Sequence, residues 1–237
     1  MHFNAMVQGA STGFVNRTVT LEQEEYRYQV YVPANYTEDE PWPLILFFHG
    51  EGESGTDGTA QTFMGIGPAI RRHPEQYRCL VVMPQARVRR SWGNPEMERQ
   101  AFTALQQTVD EFNVDKDRIS INGISSGGNA AWYFAAKYRG MFAAIVPMAG
   151  ASPHPGLSDE EYAAIGASLG QTPIWVFHGQ ADDIINVAEP RKLVEILGKV
   201  GANVRYTEYE GVGHGAWELA YEEPELIPWI LSQRRET

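Results

Sequence analysis

The stretch Ile119–Tyr138, "ISINGISSGGNAAWYFAAKY", decides how the rest of the chain is read. A β-branched run ends at Gly123, two serines follow among three glycines, and a helical pattern begins at once. Gly123-Ile124-Ser125-Ser126-Gly127 fits G-x-S-x-G. A side chain held on so tight a strand-to-helix turn crowds the positions two before and two after it, and both are glycine. The turn would lift the Ser125 hydroxyl above a sheet. The helix behind it would point amides, and the positive end of its dipole, at developing negative charge. Spacing therefore marks Ser125 as the candidate nucleophile and the Ser126 N–H as a candidate oxyanion donor. The plainer alternative is a glycine-rich turn in which Ser125 merely caps the helix.

Outward from this point the chain alternates strand and helix. Upstream, "FVNRTVTL" and "YRYQVYVP" predict two strands in a hairpin around "EQEE", after an irregular extension over residues 1–12. "PLILFFHG" (43–50) is a continuous apolar run, as expected of a strand buried on both faces. A helix is predicted around Gly67–His73, a strand at "CLVVMP" (79–84) and an amphipathic helix from Pro95 to Phe112. After "RISIN" and a helix over Gly128–Tyr138 come strands at "FAAIVPMAG" (142–150), "PIWVFHG" (173–179) and "VRYTEY" (204–209). A helix at Pro190–Val200 separates the last two, and a final helix starts at Ala216. This order predicts one α/β domain over 1–237, a doubly wound, mostly parallel sheet of about eight strands. Ligands bind beyond the carboxyl ends of such strands. The connection between the strands ending near Met148 and beginning at Ile174 is too short for a large helical cap, so an open pocket is expected.

A serine hydroxyl needs a base to take its proton, and the base needs a carboxylate to fix its tautomer. Three histidines follow Ser125. His154 lies in the proline-bracketed "SPHPG" and reads as a surface residue; His178 ends a strand and reads as support for the turn after it. His214, in "EGVGHGAWEL", follows the last strand with glycine on each side, and is the candidate base. The loop "QADDIIN" supplies Asp182 and Asp183, and spacing leaves open which of the two faces the histidine. The second oxyanion donor is expected after "LILFFHG", at the backbone N–H of Glu51.

Composition narrows the function classes. The 237 residues carry 30 Asp and Glu against 19 Lys and Arg, a formal net charge of −11. So acidic a chain repels phosphate backbones and anionic headgroups, which argues against nucleic-acid and membrane-surface partners. The acidic clump at Glu222, Glu223 and Glu225 reads as a solvated face. The single cysteine, Cys79, sits in an apolar run and reads as a core thiol. No metal-ligand spacing is present, so no cofactor is expected. The N-terminal stretch lacks a basic and an apolar region of a leader, which reads as cytoplasmic, with a secreted or periplasmic address open to a trimmed chain.

From about Tyr28 to Trp229 the chain resembles the α/β-hydrolase esterases related to polyhydroxybutyrate depolymerases, feruloyl esterases and dienelactone hydrolases. It is most similar to the bacterial esterases labelled "predicted peptidase". The resemblance is carried by "YVPANY…PLILFFHGEGESG", "VMPQ" followed by a tryptophan, "DKDRISINGISSGG", "PIWVFHGQADDIIN" and "YTEYEGVGHGAWELAY…PWI". It implies Ser125 as nucleophile, His214 as base, and Asp182 as acid, four residues after the strand-end His178. It also implies Glu51 and Ser126 as oxyanion donors, and Trp92 and Trp217 as pocket walls, although an aromatic at either place serves equally as core. Two departures matter. Glu51 stands where the family has a small or apolar residue, and facing inward it would disfavour anionic substrates. Asn186 replaces a proline after the acid loop, which loosens that loop. The expected activity is hydrolysis of short-chain, aryl or polysaccharide-linked esters through an acyl-enzyme. A serine peptidase of the same fold and a non-catalytic binding module are the alternatives, and a cysteine-dependent dienelactone hydrolase is disfavoured by the serine.

Overall fold

Alternation within one strand shows how the layers are built. In β3 (Trp42–Phe48), Leu44, Leu46 and Phe48 point into one apolar cluster and Ile45 and Phe47 into another, all with no exposed surface. A strand apolar on both faces must be covered on both, which is why it reads as an unbroken hydrophobic run. The computed structural model describes residues 11–151 and 157–235. It contains β1 (Gly13–Leu21), β2 (Glu24–Val32), β3, α1 (Ile66–Arg72), β4 (Leu80–Pro84), α2 (Pro95–Glu111), β5 (Val114–Ile124) and α3 (Ser126–Lys137). There follow β6 (Ile145–Met148), α4 (Asp159–Leu169), β7 (Ile174–Gly179), α5 (Ala188–Lys199), β8 (Val204–Tyr209), α6 (Trp217–Ala220) and α7 (Leu226–Ser232).

The eight strands form one sheet in the order β1-β2-β4-β3-β5-β6-β7-β8. β1 and β2 form the expected hairpin, Leu21 opposite Glu24, and β2 also pairs antiparallel to β4; every other pairing is parallel. Helices α2, α3, α4 and α5 pack on one face through Met97, Leu105, Trp132, Tyr162 and Leu193. Helices α1, α6 and α7 pack on the other through Ile70, Tyr221, Leu226 and Ile230. Cys79 is buried in this second cluster, as a core thiol should be. Among the described residues no helix is long and apolar enough to cross a membrane.

Four details differ from the sequence expectation. Helix α3 begins at Ser126, two residues early, because the turn feeds directly into it. The β6–β7 connection holds α4, a helix the apolar pattern did not reveal; Ser158 and Glu161 form a capping box at its start. It lies beside α5, with Asp159 bonded to Lys192 and Gly166 against Leu197, and so belongs to the helical layer and not to a cap. The final helix is two helices: Pro224 cannot extend α6, and the chain turns through Glu222–Glu225 before α7 begins. The acidic clump in that turn is paired as well as solvated, Glu222 with Arg72 and Glu225 with Arg205. Residues 1–10 of the expected N-terminal extension, and the 152–156 segment that includes His154, lie outside the described residues.

Candidate active site

The site begins with the turn between β5 and α3. Ser125 is held at φ 53° and ψ −121°, a left-handed conformation that costs a non-glycine residue on the order of 1–3 kcal/mol. Close approach explains the flanking glycines. A Cβ added to Gly123 would lie 2.1 Å from the Gly127 carbonyl oxygen, and one added to Gly127 would lie 2.0 Å from that of Phe48. The turn is wedged between the end of β3 and its own helix, and only hydrogen atoms fit there.

Two later loops reach the serine. After β7, Ala181 N–H donates to Val212 O at 2.8 Å and Gln180 N–H to Tyr209 O at 2.9 Å, tying the Asp182 loop to the loop that carries His214. A Cβ on Gly179 would sit 2.2 Å from Gly213 O, so the two loops cross in contact. Across this junction runs one line of hydrogen bonds. The His214 Nε2 stands 2.8 Å from Ser125 Oγ, and its Nδ1 stands 2.8 Å from Asp182 Oδ2. Since an ionised carboxylate only accepts, Nδ1 carries the proton and Nε2 is left to accept from the serine hydroxyl. The Asp182 side chain is fully buried, while the His214 ring retains 20% exposure, enough for a ligand to reach it.

Asp182 is pinned from several sides. Its Oδ1 accepts the N–H groups of Ile184 and Ile185, both at 2.9 Å, and Oδ2 lies 3.2 Å from His178 Nε2. Burial pushes this carboxyl up, but the hydrogen bonds from Ile185, His214 and Ile184 outweigh it and hold the carboxyl below its ordinary value. Asp183, by contrast, is exposed, and Asp182 is the one of the two that faces His214. His178 donates from Nε2 to Ile185 O at 2.9 Å, bracing the turn as expected; burial lowers its pKa and keeps the ring neutral. Asn186 does not loosen the loop. Its Oδ1 accepts the Ala188 N–H at 2.9 Å and its own carbonyl accepts the Glu189 N–H, so it fastens the loop to α5.

On the other side of Ser125, Gly50 packs close: a Cβ there would lie 3.5 Å from Ser125 Cβ. Glu51 opens a short 3-10 turn, Glu51–Glu53, and Ser126 opens α3. First residues of helical turns have no intrahelical acceptor for their N–H groups, so both are free to donate to a ligand. The wiring of His49 beneath them was not foreseen. The ring is fully buried, accepts the Ala86 N–H at Nε2 (2.9 Å), and donates from Nδ1 to Gly50 O. Burial drives its pKa down to about 4, which keeps Nε2 an acceptor. The signal for such a role was present in the placement of a histidine at the end of a fully apolar strand.

A cavity of ≈ 610 Å³ opens beside Ser126 and Glu51, walled by Trp92, Gly93 and the 86–91 segment on one side and by Asn129, Ala130 and Tyr133 of α3 on the other. Trp92 lines the cavity, belongs to the apolar cluster beneath it, and donates from Nε1 to His49 O at 3.1 Å. Trp217 is not among the cavity's lining residues. It packs on the opposite face of the sheet and meets the His214 ring at 5.2 Å between centroids, nearly perpendicular, so it backs the histidine. Also unforeseen is a brace below the serine, Tyr221 OH to Asn122 Oδ1 and Asn122 Nδ2 to Val146 O.

Known esterases and thioesterases are similar to this chain. Feruloyl esterase D of Neurospora crassa is 25% identical over 189 residues, covering 74% of this chain and 60% of that protein. Acyl-protein thioesterase 1 of Debaryomyces hansenii is 24% identical over 199 residues, covering 73% and 84%. Among solved structures, a thermostable esterase superposes with a TM-score of 0.82 at 30% identity, covering 94% of this chain and 63% of that one. The feruloyl esterase module of Clostridium thermocellum, as an S954A mutant complexed with sinapinate, gives 0.76 at 14% identity and shares the fold. The chain therefore spans about three fifths of the length of feruloyl esterase D and of the thermostable esterase, and it shares the α/β-hydrolase architecture with the solved structures. The family model for phospholipases and carboxylesterases matches residues 34–223, from the approach to β3 through every strand that builds the site, and the chain belongs to that family.

Proposed function

We propose that the protein is a serine carboxylesterase working through an acyl-enzyme. Ser125 attacks the ester carbonyl as His214 Nε2 takes its proton, and Asp182 fixes the ring's tautomer and stabilises the imidazolium. The N–H groups of Ser126 and Glu51 receive the oxyanion, each contributing about 3 kcal/mol to lowering the barrier. His214 then protonates the departing alcohol, and water enters to release the acid. The observation that carries this reading is the unbroken line from Asp182 Oδ2 through His214 to Ser125 Oγ, both links 2.8 Å.

The substrate class is read from the cavity and the relatives. An open, partly aromatic cavity suits short acyl, aryl or sugar-linked esters better than long lipid chains, in keeping with the feruloyl esterase similarity. The thioesterase similarity favours short acyl thioesters as a second substrate group, since the same oxyanion chemistry applies. A fluorophosphonate probe tests the mechanism: the protein should be labelled, and Ser125→Ala should not. Rates on acetyl, butyryl and palmitoyl p-nitrophenyl esters test the chain length, and fastest turnover of the palmitoyl ester would overturn it.

A further inference from the structure

The cavity beside Ser126 carries a charge that runs against the rest of the molecule. In a chain of net charge −11, its lining holds two arginines, Arg89 and Arg90, and one carboxylate, Glu51, a local balance of +1. The cationic groups are only partly neutralised by their own neighbours. Arg89 is exposed, sits at a left-handed φ of 61°, and makes no hydrogen bond, ion pair or ring contact with any described residue. Arg90 reaches only Glu96, at 3.7 Å, and that carboxylate already accepts the Tyr26 hydroxyl at 2.5 Å. No ion pair joins Glu51 to either arginine among the described residues, so the carboxylate does not cancel them by contact.

The remaining polar groups lean the same way. Asn129 commits its Oδ1 to the Ala151 N–H at 2.7 Å, which leaves its amide N–H₂ as the end available to a ligand. Ser54 and Ser91 also line the cavity, and their hydroxyls can donate to an anion. A cavity lined by one unpaired guanidinium group and a second that is paired only at 3.7 Å fits an acceptor-only, negatively charged group. A planar guanidinium matches a carboxylate with two parallel hydrogen bonds, and a local balance of +1 suits a monoanion better than a phosphate dianion.

We infer that the preferred substrates are esters whose non-reacting end bears a carboxylate, held by Arg89 and Arg90 while the ester carbonyl lies at Ser125. The inference rests on the hydrolase reading above and names the substrate class for that site. It reverses the expectation that Glu51 would turn anionic substrates away: the carboxylate is present at the cavity, but outnumbered.

Two isosteric pairs test it, one for each side of the ester. Monomethyl adipate is compared with methyl adipamate, and 4-carboxyphenyl acetate with 4-carbamoylphenyl acetate, each as a ratio of kcat/KM, carboxylate over amide. In at least one pair the ratio should exceed about fivefold at low salt and shrink as ionic strength rises. In the double variant R89Q/R90Q that ratio, normalised to wild type, should fall at least fivefold, with R89K intermediate because charge survives and the fork does not. A thermal melt of each variant confirms folding, and use of ratios cancels the intrinsic reactivity of each ester. Wild-type ratios at or below one in both pairs, or a ratio unchanged in R89Q/R90Q, would overturn the inference. Failure of the hydrolase reading looks different: wild type would not turn over p-nitrophenyl acetate, or Ser125→Ala would.

Discussion

Replacing Asp182 by asparagine changes one atom and should nearly abolish turnover, for a reason that can be worked through atom by atom. In the native site Oδ1 accepts two backbone N–H groups, from Ile184 and Ile185, both at 2.9 Å. In Asp182→Asn the amide oxygen must take that place, because turning the NH₂ toward two N–H donors would set donor against donor. The NH₂ then faces His214 Nδ1, 2.8 Å away in the native protein. That nitrogen must become an acceptor, so the ring proton moves to Nε2, the nitrogen that should accept from Ser125 Oγ. A base holding its proton on the wrong side cannot take another. The same substitution in a serine protease triad costs about 10⁴ in kcat, which is roughly 5 kcal/mol in the barrier. The expected result is a loss of that size in kcat for p-nitrophenyl acetate, with folding intact by thermal melt. Asp183→Asn, at the exposed neighbour, should stay within about twofold of wild type. An Asp182→Asn enzyme within about thirtyfold of wild type, or an equal loss in Asp183→Asn, would refute the tautomer argument.

His49 should impose a pH dependence on stability. Its folded pKa of about 4 lies below the ordinary 6.5, so the unfolded chain binds the extra proton first as pH falls. Its stabilisation is present above pH 6.5 and is lost on descent toward pH 4, about 2–3 kcal/mol of it by pH 4.5. Urea midpoints at pH 7.5 and 4.5 should therefore differ more for wild type than for His49→Gln; equal differences would count against the burial argument. Gly127→Ala drives a Cβ to 2.0 Å from Phe48 O, so we expect a loss of about 1–3 kcal/mol in stability and most of the activity, read by melting and ester turnover. Gly198→Ala, in α5 with nothing within 4 Å of the new Cβ, should instead raise stability by about 0.5–1 kcal/mol, visible as a small increase in Tm.

What could be read from the sequence was whatever a local constraint forces. Gly123 and Gly127 are legible because backbone atoms occupy the space where their side chains would be, and that crowding belongs to the turn itself. Strands β3, β4 and β6 of the parallel region are legible because both faces are covered, so no polar residue interrupts the run. The choice of Asp182 over Asp183 depends on which side chain turns inward; the aspartate's bonds to the N–H groups two and three residues on are local, yet two adjacent aspartates look alike in a string. Helix α4 escaped notice because its buried face is carried by Tyr162, Gly166 and Leu169 among alanines, an apolar stripe too thin to register. Its capping box at Ser158–Glu161 was the usable signal. Pro224 likewise announced the break between α6 and α7.

The cavity was the least legible part, and the reason is its construction. One wall comes from the 86–93 segment after β4, the other from a face of α3 forty residues later, Asn129, Ala130 and Tyr133, spaced for one side of a helix. The two are joined through His49, whose ring accepts the Ala86 N–H while its carbonyl accepts the Trp92 indole N–H. That histidine ends the same strand whose Phe48 carbonyl meets Gly127. A single residue at the end of β3 thus fixes the arginine-bearing wall relative to the serine turn. It also places Glu51 two residues beyond it, so the groups proposed to hold the substrate's anion and those proposed to hold the oxyanion share one support. Disturbing His49 should therefore alter both the carboxylate preference and the barrier, whereas disturbing Trp217, which backs His214 from the opposite face, should alter the barrier and leave the preference in place.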